Sequence, residues 1–171
     1  MKYLKSVLFF SILFGVIACS KDDDEPEVPE IPDVVINELL PKNSQNGYDH
    51  DGEYDDWIEL YNPADVDQDI SGYYLSDSKK EPSKWKFPEG TVIGKMGYLI
   101  VWCDGDTLQA GLHTNYRLSA DGENVVFLDT ELNVINLVEY PLTLVEKSWA
   151  RKPNATGEFE WSVPTFDQSN D

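Results

Sequence analysis

The residues best suited to chemistry lie between Asn46 and Asp56, in the run Asn46-Gly47-Tyr48-Asp49-His50-Asp51-Gly52-Glu53-Tyr54-Asp55-Asp56. Asp49, Asp51 and Asp55 place carboxylates at alternating positions around a glycine. Such oxygens suit Ca²⁺, a hard cation that takes six to eight of them at ~2.3–2.6 Å. The spacing departs from an EF-hand. With Asp49 as the first position, Gly52 stands fourth where the glycine belongs sixth, and Leu60 stands where the loop should close on Glu. The plainer reading is a solvated acidic loop, which the composition favours. Tyr48 and Tyr54 flank the carboxylates, so any ligand site is first expected here.

The remaining reactive groups are few. Of the two cysteines, Cys103 ends an apolar run, where a buried, inert thiol is expected. His50 and His113 lie in polar stretches without a triad or zinc-ligand pattern around them. Glu38 and Glu59 are a conceivable carboxylate pair for glycoside hydrolysis, but only their separation would tell. The expectation is that both are polar strand positions satisfied by backbone or by Asn37 and Asn62. The sequence has no glycine-rich phosphate loop, so no catalytic residue and no organic cofactor are expected. Trp85 and Trp161 are candidates for exposed aromatic anchors, although core or edge packing is the expected state.

Charge limits the partners. The 171 residues hold 13 Lys and Arg against 32 Asp and Glu, a net −19. Nucleic-acid affinity comes largely from Lys and Arg releasing counterions from phosphate, so no nucleic-acid partner is expected. The chain opens with Lys2 and Lys5 ahead of the apolar run Val7–Ala18. That run is short of the ~20 residues a spanning helix needs, but it fits a signal-peptide core over residues 1–18. Val16-Ile17-Ala18-Cys19 resembles a bacterial lipobox, which predicts Cys19 as the lipid attachment site and the membrane as a partner through that lipid. Residues 19–33 are acidic and Pro-rich, a composition that reads as a disordered, self-repelling tether. Ser20-Lys21-Asp22-Asp23 resembles a signal that sends lipoproteins to the outer face of a Gram-negative outer membrane. The remaining span, 34–171, carries ten basic and 25 acidic residues, so the expected domain is itself at −15.

From Val34 onward, short runs of Val, Ile, Tyr, Trp and Phe alternate with Gly, Pro, Asn and Asp clusters, the pattern of an all-β sandwich or barrel. The spacing predicts strands near 34–40, 57–61, 69–76, 84–87, 98–103, 124–129, 134–140, 147–151 and 158–161. Within the second, alternation sends Ile58 and Leu60 one way and Trp57, Glu59 and Tyr61 the other. Tyr98–Cys103 is apolar on both faces and reads as a central strand. Asp121-Gly122 suits a tight hairpin turn.

Several of these segments carry a resemblance. Val34–Pro41 with Asn37-Glu38, Asp56-Trp57-Ile58-Glu59-Leu60-Tyr61-Asn62-Pro63, and Ile70–Asp77 with Ser71-Gly72-Tyr73 resemble the lamin tail domain. Phe87-Pro88, Tyr98–Trp102, Leu118–Glu123 and Ser148-Trp149-Ala150-Arg151 follow in that family's order. The resemblance implies an immunoglobulin-like β-sandwich of about seven to nine strands and gives Trp57, Trp102 and Trp149 structural places. Met96 stands where many relatives have Pro, and Phe166-Asp167 where many have Pro-Gly, so both turns are expected to differ in shape. No heptad rod precedes the domain, so filament formation is not implied.

These readings lead to a surface-displayed, non-enzymatic lipoprotein acting as a binding or adhesion module for protein or glycan. Two alternatives stay open: a secreted hydrolase or its accessory subunit, from the company bacterial relatives keep, and a purely structural envelope protein.

Overall fold

The computed structural model describes residues 34–171. The expected signal peptide, Cys19 and the tether lie outside the described residues. Eleven strands run in chain order: β1 Val35–Leu40, β2 Trp57–Tyr61, β3 Gln68–Asp69, β4 Tyr74–Ser76, β5 Trp85–Lys86, β6 Val92–Ile93, β7 Tyr98–Trp102, β8 Glu123–Leu128, β9 Val134–Tyr140, β10 Ser148–Lys152 and β11 Glu158–Ser162. Two antiparallel sheets face each other, one ordered β11-β10-β1-β2-β7 and the other β5-β4-β8-β9, while β3 and β6 form a separate ribbon. This is the expected all-β sandwich. Among the described residues no helix is long and apolar enough to cross a membrane.

Between the sheets, Ile36 and Leu39 of β1, Ile58 and Leu60 of β2, and Val101 of β7 meet Leu75, Val125, Phe127 and Val138 of the opposite sheet. Burial of each such side chain stabilises the fold by ~1.5–3 kcal/mol relative to its exposure. The face assignment of β2 therefore holds, with Ile58 and Leu60 inside. The opposite face of β2 is closed as well. Trp57 packs with Leu40 and Trp102 against Phe166, and Tyr61 packs with Val35 against Tyr98.

The paired strand β1 contains a bulge. Ile36 faces Leu60 and Glu38 faces Glu59, leaving Asn37 as the inserted residue. An extra residue in one strand breaks the two-residue alternation. Ile36 and Leu39 consequently both reach the inner core, while Asn37 reaches Asn154 in the turn between β10 and β11 and Glu38 reaches Thr165 in the C-terminal segment.

Three expectations change. Tyr98–Trp102 is an edge strand. Its apolar faces mark covering on two sides, by the opposite sheet within and by Tyr61 and Phe166 without. Its free edge is taken by the 112–114 segment, with Trp102 N donating to Leu112 O and Thr114 N to Trp102 O. The segment 69–76 divides into β3 and β4, because Gly72 turns with φ 79° between them. The turn at Asp121-Gly122 leads into β8 from a long loop and does not join two paired strands.

Candidate functional site

At one end of the sandwich, the loop before β2 meets the loop after β7. Asn43 builds the first of them, its Nδ2 donating to Gly47 O and Asp55 O and its Oδ1 accepting from Gln45 N and Asn46 N. Trp57 Nε1 donates to Asn46 O at 2.9 Å, tying the loop to the core. Asp56 Oδ1 accepts from the backbone of Lys42 and Asn43, while burial pushes its carboxyl up to about 6 against those bonds. Gly47 is required twice. Its φ is 77°, and a Cβ there would stand 2.3 Å from the Phe166 ring.

Within this frame Asp49 is buried, and its Oδ1 accepts from Asp51 N at 3.0 Å and Glu53 N at 2.8 Å. Glu53 O in turn accepts from Asp49 N. The turn reverses the chain at Gly52, whose φ is 84°, and brings Glu53 back beside Asp49. One carboxylate oxygen each from Asp49, Glu53 and Asp55 lies within 4.8 Å of the others. Asp51 is exposed at the apex of the turn and stands outside this group. Counting alternate positions presumes an extended loop, and the turn makes Glu53 the third member instead. Burial, then the charges of Asp104, Glu53 and Asp49, raises the Asp55 carboxyl, and Arg117 only partly opposes them.

The second loop supplies Gln109, whose Nε2 donates to Glu53 Oε2 at 2.9 Å. That loop is braced by a buried pair, with His113 Nδ1 2.9 Å from Asp104 Oδ2 and Nε2 3.3 Å from Ala110 O. Arg117 Nε donates to Asp104 O. His113 thus holds a loop in shape. His50 is exposed beside Asp49. Tyr48 and Tyr54, 63% and 47% exposed, meet edge to face at 6.1 Å on the rim of the acidic cluster.

The other candidates are absorbed by the fold. Glu38 and Glu59 are register partners on the outer face of the five-stranded sheet, and all four carboxylate oxygens are taken. Glu38 accepts from Thr165 N and Oγ1, and Glu59 from Asn37 Nδ2 and Asp167 N. Burial pushes the Glu59 carboxyl up to about 8, against its bond from Asn37. Asn37 is a partner as expected. Asn62 is not, since its Nδ2 donates to the carbonyls of Val66, Ile93 and Gly94. Cys103 is free and buried, and burial holds its thiol well above its ordinary value. Trp85 packs against Phe87 and Trp161 against Trp149, both partly buried.

The role of the C-terminal segment gave little sign in the sequence. Asn170 Nδ2 donates to Asn37 O and Arg151 O, which ties the end of the segment to β1 and β10. Residues 163–171 have no strand alternation, so periodicity alone does not show that they cover the outer face of the sheet.

Two facing antiparallel sheets with a bulged first strand and a covered outer face define a sandwich of the immunoglobulin-like class. The sequence profile of the lamin tail domain matches residues 27–141, well over half of the chain, and the chain belongs to that family. The match ends after β9, although β10 and β11 complete the sheet through pairing of β10 with β1. No curated protein matches the chain significantly.

Proposed function

We propose that this protein is a non-enzymatic, lipid-anchored binding or adhesion module displayed outside a Gram-negative cell, with a protein or glycan as partner. The observation that carries the reading is the fate of the groups able to do chemistry. Glu38, Glu59, Cys103 and the Asp104–His113 pair are buried and engaged in holding the sandwich and its loops. What faces outward at the loop end is an aromatic pair, Tyr48 and Tyr54, beside carboxylates. Tyrosines anchor protein and sugar ligands because each joins a flat apolar face to a polar tip. The expected address at Cys19 would place this end of the sandwich at the cell exterior on an acidic stalk.

Two assays test the proposal. Lipid labelling should mark the wild type and not Cys19→Ala, with protease access on intact cells reporting the face of display. Capture from a surface-protein fraction and binding to a glycan array should identify the partner class. Silence in both binding assays would contradict the adhesion reading and leave a structural envelope role.

A further inference from the structure

We infer that the loop end of the sandwich is a Ca²⁺ site, built from the carboxylates of Asp49, Glu53 and Asp55 with the Gln109 amide oxygen beside them. Acidic clusters are common on protein surfaces, and the three carboxylates alone would carry nothing. What singles this group out is a set of buried oxygens with no donor. Asp49 is 5% exposed, and while its Oδ1 accepts two backbone N–H groups, its Oδ2 is screened from solvent and accepts none. Asp55 Oδ2 and Gln109 Oε1 are in the same condition. Among the described residues six buried side-chain N or O atoms lack a partner, and these three oxygens are half of them.

A buried acceptor without a donor is costly, and more so when charged. One divalent cation would relieve all three and cancel the mutual repulsion of the carboxylates. The cationic side chain acting on Asp55, Arg117, gives its Nε to Asp104 O. Gln109 is tied to the cluster because its Nε2 donates to Glu53 Oε2.

The donor set selects the ion. Every donor is oxygen, which suits Ca²⁺ and not Zn²⁺, an ion that favours His and Cys. His113 is spent on Asp104 and Ala110, and Cys103 lies buried in the core between the sheets. An irregular set of carboxylates and an amide, open to water at exposed Glu53, fits the loose coordination of Ca²⁺ better than the strict octahedron of Mg²⁺. Bound there, the ion would fasten the loop before β2 to the loop after β7 and fix the setting of Tyr48 and Tyr54. The site does not depend on the adhesion reading, because an ion can organise these loops whatever the partner.

The test is calorimetric titration of the chelator-treated full chain with CaCl2 and, in parallel, MgCl2, together with melting curves. The expected result is saturable one-to-one Ca²⁺ binding, tighter than Mg²⁺, with a raised melting midpoint. Glu53→Gln should weaken binding about tenfold through loss of one ligand charge. Glu53 is exposed and its side chain bonds only Gln109, so this variant should fold, as circular dichroism would report. Asp51→Asn should leave affinity within about twofold, since Asp51 stands outside the group. Absence of binding heat with an unchanged midpoint would overturn the site. Equal losses in Asp51→Asn and Glu53→Gln would overturn it too, by revealing only a diffuse acidic field, and equal affinity for Mg²⁺ would overturn the assignment to Ca²⁺.

Discussion

Glu59 links the protein's stability to pH. Its carboxyl ionises near 4.5 in an unfolded chain and near 8 in the fold, chiefly because burial disfavours the charged form. The folded state therefore holds an extra proton between those values. Stability contributed by the neutral group is complete below pH 4.5 and is lost as pH rises to about 8. Asp56, pushed up to about 6, acts in the same direction over a narrower window. Urea unfolding at about pH 5.5 and about pH 8.5 should show the midpoint falling, with a loss on the order of 3 kcal/mol from Glu59. Glu59→Gln, which cannot ionise, should flatten that slope. An identical slope in the variant would contradict the assignment. Backbone conformation yields a second prediction at this scale. Met96 has φ 52° and its N–H donates to Ala64 O, whereas proline is held near −65° and has no N–H. Met96→Pro should thus cost more than about 1 kcal/mol, read as a lower thermal midpoint.

At the scale of elements, the C-terminal segment stands in for a further layer. It lays Phe166 on Trp57 and Trp102 at ring distances of 5.5 and 5.6 Å and satisfies both buried glutamates. Phe166→Ala should destabilise by about 1–3 kcal/mol, below the range for a fully buried Phe because the ring is only partly covered. Deleting residues 164–171 should do more, since it strands Glu38 and Glu59 without their partners as well as exposing the tryptophans. Chemical denaturation of the two variants measures the order, and equal losses would contradict the role given to the polar bonds. The same segment explains how far the sequence could be read. Strand β2 and its two faces were legible because alternation is local and its inner residues are uniformly aliphatic. The place of β7 was not, since two covered faces look alike whether the cover is a neighbouring sheet or an irregular tail. The two-residue strand β6 carries too short a pattern to register. In the acidic loop the carboxylates were visible but their grouping was not, because the reversal at Gly52 exchanges Asp51 for Glu53.

For the whole molecule, acidity is the property that most separates behaviour from fold. A domain at −15 repels itself, and that repulsion is screened as the Debye length falls from about 30 Å at 0.01 M salt to about 10 Å at 0.1 M. NaCl over that range should raise the melting midpoint at pH 7, and a fall would indicate that attractive ion pairs dominate. Such pairs are sparse among the described residues, with Lys84 beside Asp77 and Lys79 beside Glu139. The proposed role asks this acidic sandwich to present one end outward, where Tyr48 and Tyr54 border the carboxylate cluster. Its most direct test is the binding of the labelled full chain to a glycan array and an immobilised surface-protein fraction, beside a Tyr48→Ala/Tyr54→Ala variant. Both tyrosines are exposed, so the variant should melt like the wild type. The expected result is a saturable wild-type signal that the double variant loses at least tenfold. No wild-type signal on either surface, or one that the variant retains in full, would contradict it.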